Sequence, residues 1–283
     1  MSKLFNALRQ SGLGLGAPEA EDGISNAPNA AISSVQDAEG APLQSILSTV
    51  RLVKVELSDR AVFLLENGPG SVPEEYRIIR TKLTQELPAP AIVMVSSPTP
   101  GDGKTITSLN LAGVFAMKRE TNVLIVDGDL LRGSVSEKLG IPRSPGLVDV
   151  LLGNHRLEDA LVRIEEVPNL YVLPAGKAED NRTELLDSPR WKMICDTFRR
   201  EFPFTIVDAP PVGLVADYDL LQASADRVML VVRPDHTERG ACMNALSLIP
   251  KDKFIGVVLN AADPSTLSQR YGYYSYGYNR PRT

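Results

Sequence analysis

The sequence predicts an α/β fold: a doubly wound, mostly parallel sheet that carries a phosphate-binding loop. Three observations lead there. Short, unbroken apolar runs rich in β-branched residues recur at 92–95, 123–126, 204–207, 228–232 and 254–259. A continuous run, as opposed to an alternating one, marks a strand buried on both faces. The segments between them have apolar residues at helical spacing, so strands and helices alternate in βαβ order. Finally, the first run opens the stretch AIVMVSSPTPGDGKT, residues 91–105, and delivers its loop directly into Gly103-Lys104-Thr105.

Strand, glycine-bearing loop, Gly-Lys-Thr and helix is how a chain cradles phosphate. Main-chain N–H groups and the helix N-terminus face the anion, the lysine reaches the β- and γ-phosphates, and the Thr hydroxyl takes Mg²⁺. Gly101, Asp102, Gly103, Lys104, Thr105 and Ile106 are the candidate nucleotide-binding residues, with ATP and Mg²⁺ as the implied cofactors. Pro98 stands where the usual motif has its first glycine. The plainer alternative is an ordinary turn that happens to contain Gly-Lys-Thr.

Bulk properties narrow the function class. A chain of 283 residues accommodates one large α/β domain with extensions. A net charge of −5 gives no reason to expect a nucleic-acid surface. Cys195 and Cys242 are far apart, and so are His155 and His236, so neither pair has metal-site spacing. No apolar run approaches the roughly 20 residues of a membrane helix, and no signal-peptide pattern opens the chain. The reading is a soluble, cytoplasmic protein whose membrane role, if any, comes through a partner.

Taken in order, residues 2–10 have the pattern of a short amphipathic helix or a frayed terminus. Residues 11–42 are rich in Gly, Ala, Pro, Ser and Asn, too poor in large apolar residues to offset the entropy of ordering; residues 1–48 are expected to be largely disordered. The domain is placed at 49–262. Its first part, 49–70, is read as an extension with strand patterns at 50–55 and 61–65. A helix is expected over 71–87, opened by a Ser71–Glu74 capping box and Pro73 in the first turn. Glu74, Arg77 and Arg80 recur every three residues on this helix. By spacing alone they form a solvated charged face with weak internal pairs.

Beyond the phosphate loop, the run at 123–126 delivers Asp127 and Asp129 to the carboxyl end of a strand expected to neighbour the phosphate-loop strand. Two acids at i and i+2 there suit metal or acid–base work better than turn capping. Helices are expected at 134–139, 146–152, 156–163 and 189–200, with a strand at 169–173. The run at 204–207 ends in Asp208-Ala-Pro-Pro, matching the second acidic motif of P-loop NTPases, which helps hold Mg²⁺. Helices at 216–224 and 237–249 and strands at 228–232 and 254–259 complete the set. Ligands of such sheets lie at the carboxyl edge of the strands, which lines up Lys104, Asp127, Asp129, Asp208 and Asn260 on one rim.

The tail, 263–283, holds five of the eight tyrosines: Tyr271, Tyr273, Tyr274, Tyr276 and Tyr278. Glycines, a serine and arginines fill the remainder, the composition of a flexible segment. From Asn260 to Tyr271 the chain can reach about 36–40 Å, far enough to bring a tyrosine to a bound γ-phosphate. A sticky or docking tail is the plainer reading.

Together these pieces resemble the cytoplasmic bacterial tyrosine kinases of exopolysaccharide and capsule export, a branch of the P-loop ATPases related to MinD and ParA. The resemblance covers roughly residues 70–283 and rests on EEYRIIRTKL, SSPTPGDGKT, VLIVDGDLLR, FTIVDAPP and the tyrosine cluster. It implies that Lys104 and Thr105 bind phosphate and Mg²⁺ and that Asp127 takes the proton of the substrate tyrosine. It further implies that Asp129 and Asp208 help hold Mg²⁺ and that Asn260 contacts adenine. The five tail tyrosines become autophosphorylation sites, and Glu74, Arg77 and Arg80 a subunit contact in a ring-shaped homo-oligomer. A membrane chain-length regulator that activates the kinase and a tyrosine phosphatase are the implied partners, the first drawing the protein to the inner face of the membrane. Leu131 departs from the pattern, since the family carries a basic residue there; Arg132 follows it. Two other readings stay open: a MinD/ParA-like ATPase switch, and a non-catalytic nucleotide-binding scaffold. The tyrosine tail disfavours the first; Pro98 and Leu131 keep the second alive.

Overall fold

A computed structural model describes residues 45–57 and 74–262, all within one compact unit that begins at Gln44. The expectations at 2–10, 11–42 and 61–65, the Ser71 cap with Pro73, and the tail with its five tyrosines lie outside the described residues.

Eight strands form one sheet: β1 (Arg51–Val53), β2 (Ala91–Ser96), β3 (Val123–Asp127), β4 (Val162–Ile164), β5 (Leu170–Leu173), β6 (Phe204–Asp208), β7 (Arg227–Val232) and β8 (Phe254–Leu259). Their spatial order is β1-β4-β5-β3-β6-β2-β7-β8. Every neighbouring pair is parallel except β4 with β5. The nine α-helices of the described residues are α1 (Glu74–Glu86), α2 (Lys104–Ala116), α3 (Ser134–Leu139), α4 (Leu147–Leu151), α5 (Leu157–Ala160), α6 (Arg182–Leu186), α7 (Pro189–Glu201), α8 (Asp217–Ser224) and α9 (Arg239–Leu248).

Strand periodicity divides the core in two. Ile92, Met94, Leu124 and Val126 pack on one face with Trp191, Phe198 and Tyr218 from α7 and α8. Val93, Val95, Val123 and Ile125 pack on the other against Leu111, Val114 and Phe115 of α2 and Leu83 of α1. Successive side chains point to opposite faces of a strand, and here both faces are covered, which is why these strands read as unbroken apolar runs. Each fully buried aliphatic or aromatic side chain contributes about 1.5–3 kcal/mol.

Three sequence expectations need correction. The strand bearing Asp127 does not neighbour the phosphate-loop strand: β6 lies between β3 and β2, pairing Asp208 with Asp127 on one side and with Val95 on the other. The helix expected over 156–163 is the single turn α5, followed by β4. The spacing of Leu157, Ala160 and Leu161 does read as helical. However, Val162 and Ile164 alternate with half-exposed Arg163, and strand pairing with β1 and β5 decides the outcome. The short helix α6 was not anticipated. The strand pattern at 50–55 does produce an edge strand, β1, parallel to β4.

Candidate nucleotide and phosphotransfer site

The parallel strands end on one rim, and the candidate residues collect there because their loops all leave from it. After β2 the chain makes a tight loop in which Gly101 and Gly103 have φ +91° and +93°, values that favour glycine. At Gly103 a Cβ would lie 1.9 Å from the Asn260 amide nitrogen. Asp102 is fully buried and staples the loop from within. One carboxylate oxygen accepts from the Thr99 N–H (2.9 Å) and hydroxyl (3.0 Å), the other from the Thr237 hydroxyl (2.6 Å). Asn260, just past β8, donates to the Asp102 carbonyl (2.9 Å). His236 sits on the outside of the loop, its Nε2 3.2 Å from the Pro100 carbonyl.

Helix α2 begins at Lys104, so its first N–H groups, including that of Ile106, have no carbonyl a turn earlier within the helix. The Ile106 side chain packs into the core against α2's face of the sheet. Lys104 Nζ lies 3.1 Å from Asp129 Oδ2 and 3.6 Å from Asp208 Oδ2. Asp208 accepts from the Thr105 hydroxyl (2.7 Å) and from the Ser108 hydroxyl (3.0 Å). Thr105 Oγ1 also lies 2.9 Å from Ser134 Oγ. Asp129 Oδ1 accepts from the Arg132 N–H at 3.2 Å. Asp127 Oδ2 accepts from the Val135 N–H at 3.0 Å, while its Oδ1 is buried without a protein partner.

Three carboxylates facing one ammonium make the rim strongly electronegative. Burial pushes Asp127 up to about 8, reinforced by neighbouring Asp208, while the Val135 N–H and Lys104 pull the other way. Burial likewise raises Asp208 against the pull of Lys104, Thr105 and Ser108. Burial opposes the charge on Lys104, but Asp208 and Asp129 outweigh it and hold its pKa above the ordinary lysine value.

These residues fit a divalent cation accompanied by phosphate. The excess of carboxylates over cations and the orphaned Asp127 oxygen both call for positive charge. Among the described residues no group of three or more His, Cys, Asp or Glu side chains is gathered as a dedicated metal cage. Mg²⁺ does not need one, since it keeps several waters and uses one or two carboxylates together with substrate phosphates.

The rim thus brings together Lys104, Thr105, Asp127, Asp129 and Asp208, with Asn260 against the loop. The trio on α1 is not held together in the same way. Exposed Glu74 pairs with half-buried Arg77 at 3.2 Å, whereas Arg80 reaches the Val114 carbonyl near the end of α2 at 2.9 Å. Six residues on is about 120° round a helix from the start, so Arg80 faces its own domain, not the same side as Glu74. Leu131 is 53% exposed beside the site, and Arg132 engages Asp129 through its main chain.

Sequence reasoning missed Ser108, Ser134 and Thr237. Ser108 was findable, being three residues after Thr105 on the same helix face. Ser134 follows the Asp129 loop directly but carries no pattern that marks it, and Thr237 joins from an element 135 residues away.

A mostly parallel sheet with a Gly-Lys-Thr loop opening a helix and acids at the ends of adjacent strands defines a P-loop nucleotide-binding domain. The AAA domain family model matches residues 91–250. The tyrosine-protein kinase YwqD of Bacillus subtilis is 33% identical over 208 residues, which cover 71% of this chain and 85% of YwqD. EpsB of Ralstonia solanacearum is 35% identical over 276 residues, 90% of this chain but 36% of EpsB, so the chain spans about a third of that relative's length. The kinase domain of the Escherichia coli tyrosine kinase ETK superposes with a TM-score of 0.65 at 27% identity, covering 77% of this chain and 85% of that one. The chain belongs to the bacterial tyrosine-protein kinase family. Among the described residues no helix is long and apolar enough to cross a membrane.

Proposed function

We propose that the chain is an ATP-dependent protein-tyrosine kinase, that its rim site phosphorylates the tyrosine cluster of the tail, and that this regulates exopolysaccharide polymerisation or export. The observation that carries the reading is the pairing of Asp127 and Asp208 at adjacent strand ends beside Lys104. One of these acids is tied to Thr105 and Ser108, and the other keeps an oxygen unused.

In this mechanism the γ-phosphoryl group moves from its ADP oxygen to the phenolic oxygen of a tyrosine, and the phenolic proton passes to Asp127. Lys104, firmly cationic, leaves its carboxylate partners to meet the phosphates. Bound Mg²⁺ supplies charge neutralisation on the phosphate oxygens; Thr105, Asp129 and Asp208 are the residues that would hold it. A phenol ionises near ~10, and a carboxylate whose basicity lies between the ordinary acid range and that value is a suitable acceptor. Asp127 is fully enclosed, so direct proton acceptance requires its cover to open when substrate arrives.

The main chain of the loop, with Gly101, Asp102, Gly103 and Ile106, would cradle the phosphates, and Asn260 would border the base. The kinase domain is taken as 49–262, preceded by an N-terminal segment, 1–48, and followed by the substrate tail 263–283. Glu74 and Arg77 would offer an ion pair to a neighbouring subunit in a ring; Arg80 would contribute by stiffening α1 against α2. The implied partners are a membrane chain-length regulator that activates the kinase at the inner face of the membrane and a phosphatase that resets the tail.

The test is to incubate purified protein with Mg²⁺-ATP and map phosphotyrosine by mass spectrometry, beside Lys104→Met and a chain truncated after Asp263. The activator's cytoplasmic segment is included. Tail phosphotyrosine that vanishes in Lys104→Met is the expected result. ATP hydrolysis without phosphotyrosine would replace the kinase by an ATPase switch, and nucleotide binding without turnover would replace it by a scaffold.

A further inference from the structure

The loop from Asp129 to Gly133 carries a site carboxylate; Leu130 roots it in the core, and its main chain is held by a side chain from outside it. Arg143, in the connection between α3 and α4, spends all three guanidinium nitrogens on main-chain carbonyls. Nη2 donates to Leu130 (2.7 Å), Nη1 to Arg132 (3.1 Å) and Nε to Gly176 (2.6 Å). The Gly176 N–H answers with a bond to the Arg143 carbonyl at 3.0 Å. Gly133 has φ +61°, and a Cβ there would lie 2.7 Å from the guanidinium carbon. The loop therefore turns its carbonyls outward to Arg143 and its N–H groups inward to Asp129, which receives Arg132 N–H at 3.2 Å on Oδ1 and Gly133 N–H at 2.7 Å on its carbonyl.

We infer that Arg143 is a positioning residue: by clamping Leu130 and Arg132 to Gly176 it fixes Asp129 in the orientation that faces Lys104 and, in the loaded site, the metal. The chemistry demands arginine. A planar fork can serve three carbonyls at once, whereas a lysine ammonium is a single point of charge on a flexible stem. Groups that orient a metal-binding side chain typically change metal affinity or activity by about 10-fold to 100-fold when removed.

The inference rests in part on the proposed nucleotide reading, so the experiment has one arm that does not. On the full chain, Arg143→Ala and Arg143→Lys are compared with the unchanged protein. The first readout is amide hydrogen exchange in metal-free protein. Exchange is expected to speed up at Arg132 and Gly133 in both variants and to stay the same along α2. The second is binding of a fluorescent ATP analogue with and without Mg²⁺. The Mg²⁺ concentration that tightens binding is expected to rise by about 10-fold or more, with Mg²⁺-free binding unaltered. Millimolar guanidinium, far below denaturing levels, should restore Arg143→Ala in both readouts. Unchanged exchange at Arg132 and Gly133 would overturn the clamp outright. Faster exchange there together with an unshifted Mg²⁺ requirement would overturn the positioning role. Faster exchange throughout the domain would make Arg143 a general packing residue. Absence of nucleotide binding in the unchanged protein would count against the proposed function while leaving the exchange arm to decide the clamp.

Discussion

Two loops on the rim use one device to different ends. In the phosphate loop Asp102 collects Thr99 N–H and hydroxyl, and in the neighbouring loop Asp129 collects the N–H of Arg132. Asp102 gives both oxygens to structure and is sealed from solvent, its second oxygen taken by Thr237. Asp129 keeps Oδ2 for Lys104. An aspartate that staples its own loop with one oxygen can still present the other to a ligand; Asp102, with both oxygens engaged and its carboxylate sealed from solvent, presents neither. Any contact of Asp102 with nucleotide therefore has to come from its main chain. The phosphate loop is also braced from two distant elements, through Thr237 and Asn260, while the Asp129 loop leans on Arg143.

The largest expected effect comes from the group that serves both loops. Asp208 binds Thr105 and Ser108 through its side chain and the Gly128 N–H through its carbonyl. Asp208→Ala should lower kcat by about 100-fold or more, measured as tail phosphotyrosine per unit time. A loss of only a few-fold would mean that the two loops are not coordinated through β6.

Asp127 gives a sharper test, confined to one side. Its carboxyl titrates near 8 in the fold and near the ordinary value unfolded, so a raised pKa stabilises the fold at low pH. That contribution is lost as pH rises from about 4 through 8. In nucleotide-free, EDTA-treated protein, Asp127→Asn should melt higher than the unchanged chain at pH 8, and the gap should shrink towards pH 5. A gap that is constant with pH would contradict the electrostatics of the rim.

Thr237→Val probes the other loop alone. It removes one donor from a buried carboxylate, a loss of about 1–3 kcal/mol by chemical denaturation, and Thr237→Ser should recover most of it. The smallest effect is expected at the far end of α2. Arg80→Ala gives up one bond to a carbonyl near a helix C-terminus, about 0.5–1.5 kcal/mol. It should leave the KM for ATP where it was.

How much of this the sequence discloses depends on how locally each feature is encoded. The central strands were legible because burial on both faces forces an unbroken apolar run, as in Ile92 to Val95. The acids were legible because a charge terminating such a run has few structural reasons to be there. The strand order was not: nothing local to Val123–Asp127 states that β6 will intervene before β2. Strand β4 was misread because three residues carry too little pattern to outweigh the helical spacing before them. Thr237 was invisible because it acts on a residue 135 positions away, and Arg143 because main-chain carbonyls, which leave no side-chain pattern, are its partners; Arg80 was misassigned by treating a three-residue repeat as one helix face.

In the proposed function the rim site and the tail tyrosines are enzyme and substrate. The most direct measurement mixes two defective chains with Mg²⁺-ATP and the activator segment: Lys104→Met, which keeps the tail, and the chain truncated after Asp263, which keeps the site. Phosphotyrosine on the tail of Lys104→Met, appearing only in the mixture, is the expected result. A mixture that hydrolyses ATP yet leaves that tail unphosphorylated would contradict it.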